Sequence, residues 1–391
     1  MAEHGSAISR TFYGGGVTVY AKFFKAPTYS SSSQSWSEFT NDRLFATDRI
    51  VSYEYTKRFT RPGNFSMILP FDEGVLNKLE INGTIFYDGD WLWMQGISYD
   101  SKTITLTGTD AKGLLGTRIS LYSDPQVSGG QGYDIATGTT KACIQHYVEN
   151  NGKAGTCLTG RELPITSFAG ADGLTDDSYM ARLEYLSDLV AALCENAGIG
   201  YEVEGLLSAA GFRLKTVQGV DRSFSQNERP RVIFSPKRRN VRSMSFEHGV
   251  DNLYNVVYGV DSNESVGVTY RDAGGYVPLA RRECTVSVSE VTVSDPLFDK
   301  YALHQVEDNL ATQSCTVDAA VSGGYGTAYH LGDIVSVQDI YTDNMMSYQI
   351  TEVTKSYASG QQNITLVFGT PKQKPLQKIV NGFLSGTLKR R

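Results

Sequence analysis

From residue 78 to 110 the chain reads "KLEINGTIFYDGDWLWMQGISYDSKTITLTGTD". Short runs of β-branched and aromatic residues are cut by "NG" at 82–83, "DGD" at 88–90 and "YDSK" at 99–102. Asn, Asp and Gly accept the positive φ that tight hairpin turns demand. Turns this regular predict a meander of the kind found in sandwiches and barrels. The same pattern precedes it. "VTVYAKFF" at 17–24 alternates, and "DRIVSYEYTKRFT" at 48–60 alternates with Ile50, Tyr53 and Tyr55 on its packing side. In "RPGNFSMILP", Pro62 and Gly63 make a turn and residues 65–69 a return strand. "YSSSSQSWSEFTND" at 29–42 is polar and reads as a surface loop. With 39 Gly, 23 Tyr and 17 Phe, the composition favours strands and turns over helices.

The middle is different. "TTKACIQHYVENNGK" at 139–153 predicts a helix, capped by Thr139 or Thr140, lined by Ile144, Tyr147 and Val148, and ended at Gly152. "ARLEYLSDLVAALCENAGIG" at 181–200 carries Leu183, Leu186, Leu189, Val190, Leu193 and Ala197 on one helical stripe, and Gly198 closes it. Strand patterns return after residue 240. They are interrupted by a predicted helix over 295–313, with Leu297, Tyr301, Val306 and Leu310 facing inward. Four strand-like runs follow, ending in "QNITLVFG". The chain therefore divides into an N-terminal segment (1–47), a first β domain (48–125), a helix-containing insertion (126–240), a second β domain with one helix (241–371) and a basic tail (372–391). A chain of 391 residues is long enough for about two to four domains. The tail holds Lys372, Lys374, Lys378, Lys389, Arg390 and Arg391 and suits folding against a partner.

Charge and cysteine usage narrow the function classes. The 36 basic and 42 acidic side chains give a net charge of −6, which argues against binding nucleic acid by neutralising phosphates. Cys143, Cys157, Cys194, Cys284 and Cys315 are odd in number and form no CxxC pair, so neither a disulfide framework nor a zinc site is expected. No secretory signal pattern opens the chain, and apolar runs such as "LVAALC" at 189–194 are too short for a bilayer. The expectation is a soluble protein folded in a reducing cytoplasm.

Each candidate for chemistry has a plainer reading. Asp221, Arg222 and Ser223 could supply an acid, a clamp and a nucleophile, but adjacent residues of an extended chain point to opposite sides. Asp and Ser are also common turn formers, and no GxSxG elbow is present, so a scaffold turn is favoured. His304 and Glu307 lie three apart on the predicted helix and could share a metal, but a third ligand is missing. Asp172, Asp176 and Asp177 in "ADGLTDD" offer oxygen ligands without EF-hand spacing or its closing Glu. His330 and Asp333 in "YHLGDIVSV" read as the start of a strand, and "YGGGV" at 13–17 as a flexible joint lacking the P-loop ending. Trp91 and Trp93 alternate on one strand. They could form a carbohydrate platform or pack under a neighbouring domain or subunit, and the second reading is favoured. No catalytic, cofactor-binding or metal-binding residue is assigned, and no enzyme activity is expected.

The order of segments resembles siphophage tail-hub proteins, the tail-associated hubs of long-tailed phages, related in fold to the baseplate hub of contractile tails. "DRIVSYEYTKRFTRPGNFSMILP" is similar to the family's opening strand, R-P-G turn and return strand. "TITLTGTDAKGLLGTRI" at 103–119, "VQGVDRSF" with "RVIFS", "NLYNVVYGV", "RRECTVSV", "YHLGDIVSVQD" and "ITEVTKSYASGQQNITLVFGTP" follow in the family's order, spanning about residues 48–371. The resemblance implies a β-rich α+β fold with two β-barrel-like domains around the insertion, the multi-domain baseplate-hub fold. It implies a homotrimer at the virion's tail tip, assembled in the bacterial cytoplasm. The ring would end the tube, anchor adsorption proteins and gate DNA passage, with a distal tail protein ring, a tape-measure protein and receptor-binding or fibre proteins as partners. DNA would transit without specific binding, and no cofactor is implied. The alternative is a carbohydrate-binding adhesin built on Trp91 and Trp93. Many relatives continue into a fibre or a wall hydrolase, whereas this sequence stops soon after its last hairpin, so those tasks would fall to other proteins. The N-terminal segment matches the family pattern poorly.

Overall fold

The computed structural model describes residues 20–38, 42–121, 134–205, 211–249, 253–271, 278–288, 291–304, 306, 312–319, 324–339, 343–358 and 361–369. The Gly cluster at 13–17, the basic tail, Leu310 and Glu307 lie outside them. The chain forms two compact units. The first comprises Met1–Met244 and Thr316–Lys372, and the second is built on Ser245–Cys315.

In the first unit, β1 (Ala21–Phe24) is followed by the hairpin β2 (Tyr29–Ser30) and β3 (Ser35–Trp36), within the stretch expected to be a loop. Then come β4 (Arg43–Thr47), β5 (Ser52–Arg58), β6 (Asn64–Pro70), a one-turn helix α1 (Glu73–Leu76), β7 (Thr84–Tyr87), β8 (Asp90–Tyr99) and β9 (Thr103–Asp110). The meander is as its turns predict. Asp88 (φ 51°) and Gly89 (φ 84°) both take the left-handed conformation that joins β7 to β8, the geometry that matches strand twist. A 3-10 helix, Ala111–Thr117, leads toward β10 (Asp134–Gly138), α2 (Thr140–Gly152), β11 (Ile165–Gly170), β12 (Asp177–Ala181), α3 (Leu186–Ala197), β13 (Gly200–Gly205) and β14 (Phe212–Val217). Thr139 caps α2, its hydroxyl accepting from the Ala142 N–H at 3.2 Å. Ile144, Tyr147 and Val148 are buried as their stripe requires. Gly198 closes α3. Leu183 departs from expectation. It precedes the helix at φ 55° and is 61% exposed, because α3 starts only at Leu186.

The remaining strands are β15 (Ile233–Phe234), β16 (Val241–Gly249), β17 (Val256–Asp261), β18 (Val266–Tyr270), β19 (Glu283–Val288), β20 (Thr312–Ala319), β21 (Ile334–Gln338), β22 (Met345–Ala358) and β23 (Gln361–Gly369), with α4 (Phe298–His304) before β20. A 13-stranded sheet runs β16-β20-β23-β22-β5-β6-β9-β8-β7-β1-β4, with β21 attached to β22 and β15 to β21. β22 pairs with β5 from Glu352 to Ala358, so strands from both ends of the sequence share one sheet. The protein is β-rich with few helices and several sheets, and the large sheet does not close into barrels among the described residues.

Two apolar cores flank β8. Leu92 and Met94 join Tyr53, Tyr55, Phe65, Met67, Ile104 and Leu106 on one side. Trp91 and Trp93 join Ile144, Leu189, Leu193, Tyr201 and Phe212 on the other. This second core belongs to the layer of α2, α3 and β10–β14.

The second unit is simpler. β17 pairs antiparallel with β18 and parallel with β19, and α4 covers one face. Phe298 of α4 lies on Gly259 and Gly267. A Cβ at either glycine would stand 2.6 or 2.4 Å from its ring. Of the helix expected over 295–313, residues 298–304 are helical among the described residues, and Thr312 and Gln313 are strand. Leu297, expected inside, is 49% exposed, whereas Val306 is buried.

Candidate functional site

The structure brings together seven charged side chains that no motif joins. Lys57 of β5 lies 2.8 Å from Asp90 and 2.8 Å from Glu202 of β13. Lys355 of β22 lies 2.7 Å from Asp88 and 3.5 Å from Asp90, and it stands over the Tyr325 ring at 5.7 Å. Asp110 accepts from the Tyr55 hydroxyl at 3.2 Å and lies 3.8 Å from the Lys112 ammonium. Lys112, only 2% exposed, donates to the Arg58 carbonyl and faces the Tyr201 ring. A cavity of about 50 Å³ opens among Lys57, Asp90, Asp110, Lys112 and Glu202.

Local periodicity puts them there. Lys57 shares its strand face with buried Tyr53 and Tyr55, Asp110 with Ile104 and Leu106, and Asp90 with Leu92. Burial disfavours charge, and the partners decide each outcome. Burial opposes the Lys57 charge, yet Asp90 and Glu202 outweigh it and raise its pKa. Lys355 is likewise raised by Asp90 and Asp88 against burial. Burial would raise Asp90, but Lys57 and Lys355 hold it below the usual carboxylate range. Lys57 does the same to Glu202. Burial prevails at Asp88 and Asp110, which are raised, and at Lys112, which is lowered. Most of the charge here is neutralised in place, and the lysine ammoniums point at carboxylates of this same chain. The arrangement suits holding strands together better than acid–base chemistry on a substrate.

The candidates read from sequence are placed as follows. The stretch containing Asp221–Ser223 lies against the first strand residues of β21. Asp221 bridges Ile334, and the Arg222 N–H donates to the Ile334 carbonyl at 2.8 Å. The Ser223 hydroxyl is paired with Ser225 at 2.6 Å. Asp333 ties this stretch to the "YHLGD" motif. It accepts from the Val220 N–H at 2.8 Å, the Arg222 Nε at 2.9 Å and the His330 N–H at 3.0 Å. Two motifs read separately thus meet at one buried carboxylate. Asp172 pairs with Lys141, and buried Asp177 accepts from the Thr140 hydroxyl at 2.8 Å, so they do not converge on one ion. Among the described residues no group of three His, Cys, Asp or Glu could hold a metal. His304 is the last residue of α4. None of the five cysteines forms a disulfide. The carbohydrate platform is corrected: Trp91 and Trp93 are 4% and 8% exposed, and Trp91 packs on Phe24, Phe86 and Phe212 with ring centroids 5.1–5.7 Å apart. They pack within the first unit and offer no face to a sugar.

Residues 40–370 match the family described as Siphovirus ReqiPepy6 Gp37-like protein. The chain belongs to this family. No curated protein sequence matches it. Among solved structures, the Gp37-like chain is similar to the 43 kDa tail protein of prophage MuSo2 from Shewanella oneidensis. The TM-score is 0.51 at 11% identity, over 84% of this chain and 95% of that one. It is also similar to a tail protein from Neisseria meningitidis, with a TM-score of 0.51 at 14% identity over 83% and 93%. The resemblance to a siphophage tail family drawn from motif order is borne out, and the fold is that of phage tail proteins. Among the described residues no helix of this family member is long and apolar enough to cross a membrane.

Proposed function

We propose that the chain is a structural hub of a siphophage tail tip: a homotrimeric ring, part of the virion, that ends the tail tube, anchors adsorption proteins and gates DNA passage. The observation that carries this reading is a siphovirus family match over residues 40–370 together with a fold shared with tail proteins over nearly their whole length. The charge network supports a mechanical and non-catalytic role, because its charged groups are spent on one another. A distal tail ring, a tape-measure protein and receptor-binding or fibre proteins are the partners such a ring would meet. Three chains carry 3 × −6 = −18 charges, and an acidic lumen would let DNA slide without sticking.

Light scattering and negative-stain electron microscopy of the purified protein test this. One chain is 42.9 kDa, so the trimer is 3 × 42.9, near 129 kDa. A three-fold particle with an axial channel or plug is expected. A particle that stays monomeric with the distal tail protein present would sink the ring.

A further inference from the structure

The layer of α2, α3 and β10–β14 meets the large sheet along a seam with two unlike ends. At the apolar end, Trp91 and Trp93 pack with Phe212 and the α3 leucines. At the other, Lys57 reaches Glu202 at 2.8 Å, the Thr60 hydroxyl donates to Glu195 at 2.9 Å, and the Tyr201 N–H donates to the Phe59 carbonyl at 3.2 Å. The cavity of about 50 Å³ lies between the two ends, lined by Trp91 as well as by Lys57, Asp110, Lys112 and Glu202. The buried Tyr201 hydroxyl has no hydrogen-bond partner within the protein.

We propose that the polar end is a releasable clamp. The helix-bearing layer opens locally there, and Lys57 lets go of Glu202 while keeping Asp90. The reason is the way the charges are shared. Lys57 has two carboxylate partners, one in each layer, and Asp90 is also held by Lys355 in its own sheet. On opening, Asp90 remains paired with both lysines. Glu202, whose side chain is already 34% exposed, takes up water. No buried charge is stranded, so opening need not await global unfolding. The device rests on the first unit's own geometry and stands whether or not the chain forms a ring.

Cys194 reports the opening. Its thiol is buried on α3, in the core that joins the layer's Tyr201 and Phe212 to Trp91 of the large sheet. Cys143 is buried inside the layer, against the Asp177 carbonyl at 3.9 Å. Peptide-resolved alkylation with iodoacetamide on the full chain, before and after Glu202→Gln, separates the two. Roughly two- to fivefold faster labelling of Cys194, with Cys143 and Cys315 unchanged, is expected, since losing an ion pair whose carboxylate is one-third exposed shifts a local opening by about that factor. An unchanged Cys194 rate overturns the clamp. So does an equal rise at all three thiols, which reports global unfolding.

Discussion

Each unit buries a carboxylate beside its core, and the two solve the problem differently. In the second unit Asp261 accepts from the backbone N–H groups of Asn263 and Ser265 at 2.9 Å and of Val293 at 3.1 Å, two of them within four residues of it. In the first, Asp90 is satisfied by Lys57 and Lys355, which are 33 and 265 residues away. Backbone donors cannot leave and carry no formal charge. Lysines bring charge that must itself be paired. The local solution fixes a turn, and the distant one fixes the order in which whole strands lie together. The first unit therefore depends on charges that the second does without.

Breaking Asp90 gives the largest expected effect. Asp90→Ala leaves two partly buried ammonium groups with only Glu202 and Asp88 as partners, and a loss of about 3 kcal/mol, the lower end for breaking a buried pair, is expected. Trp91 and Trp93 report on this unit, so urea unfolding followed by tryptophan fluorescence measures it. A loss under about 1 kcal/mol would mean that water satisfies the lysines and the network holds nothing.

The equivalent break in the second unit is steric. Gly267→Ala puts a methyl 2.4 Å from the Phe298 ring. Overpacking of this kind costs about 1–3 kcal/mol. Phe298→Leu should recover part of that loss in the double variant, because the smaller side chain makes room. Hydrogen exchange of β17 and β18 reads the effect, and simple additivity of the two changes would contradict contact between them.

The meander of the first unit was legible because its turns announce themselves, whereas the pairing of β5 with β22 was not. Asn82, Asp88 and Gly89 take positive φ, and α2 and α3 declare their apolar stripes. The end of α4 was not legible. The apolar spacing continues through Val306 while the β-branched run beginning at Thr312 belongs to β20, and periodicity alone cannot say where one gives way to the other. The charge network left a trace that was easily passed over. Lys57 has the same parity as Tyr53 and Tyr55, and an alternating strand with a lysine on its buried face requires a buried anion. Which anion could not be read, since Asp88, Asp90 and Glu202 come from separate elements that meet only in the fold. Trp91 and Trp93 left two readings open for a related reason: β8 is covered on both faces, and alternation cannot show that, so the favoured reading, packing under a neighbouring layer, is the one the structure bears out.

Acid tests the first unit's network directly, although Asp261 of the second unit, lowered against burial by its backbone hydrogen bonds, weakens in the same direction. Asp90 and Glu202 have folded-state pKa values below their ordinary 3.8 and 4.5. A depressed carboxylate stabilises the fold above its unfolded pKa and loses that contribution as pH falls through the folded value. Asp88 and Asp110, raised by burial, act with the opposite sign and offset part of the loss. The first unit should therefore weaken progressively below about pH 4.5, the ordinary pKa of Glu202. Glu202→Gln should make the slope shallower by less than about 1 kcal/mol, because the group is one-third exposed and screened. Urea midpoints at several pH values from neutral into the acid range check this, and an unaltered slope would remove Glu202 from the network.

The smallest effect is also the cleanest control on the comparison. Arg281 and Glu283 of the second unit form an ion pair chemically like Lys57–Asp90, but their side chains are 33% and 47% exposed, against 17% and 10%. In water each partner is solvated before the pair forms and after it breaks, so an exposed pair contributes about 0–1 kcal/mol. Glu283→Gln should accordingly shift stability by no more than about 0.5 kcal/mol, and added salt should erase even that. Arg281 retains the Tyr258 hydroxyl at 3.0 Å and the Tyr270 ring, so it is not left alone. If this variant cost as much as Asp90→Ala, burial would not be what distinguishes the two pairs, and the contrast between the units would have to be sought in their strand order.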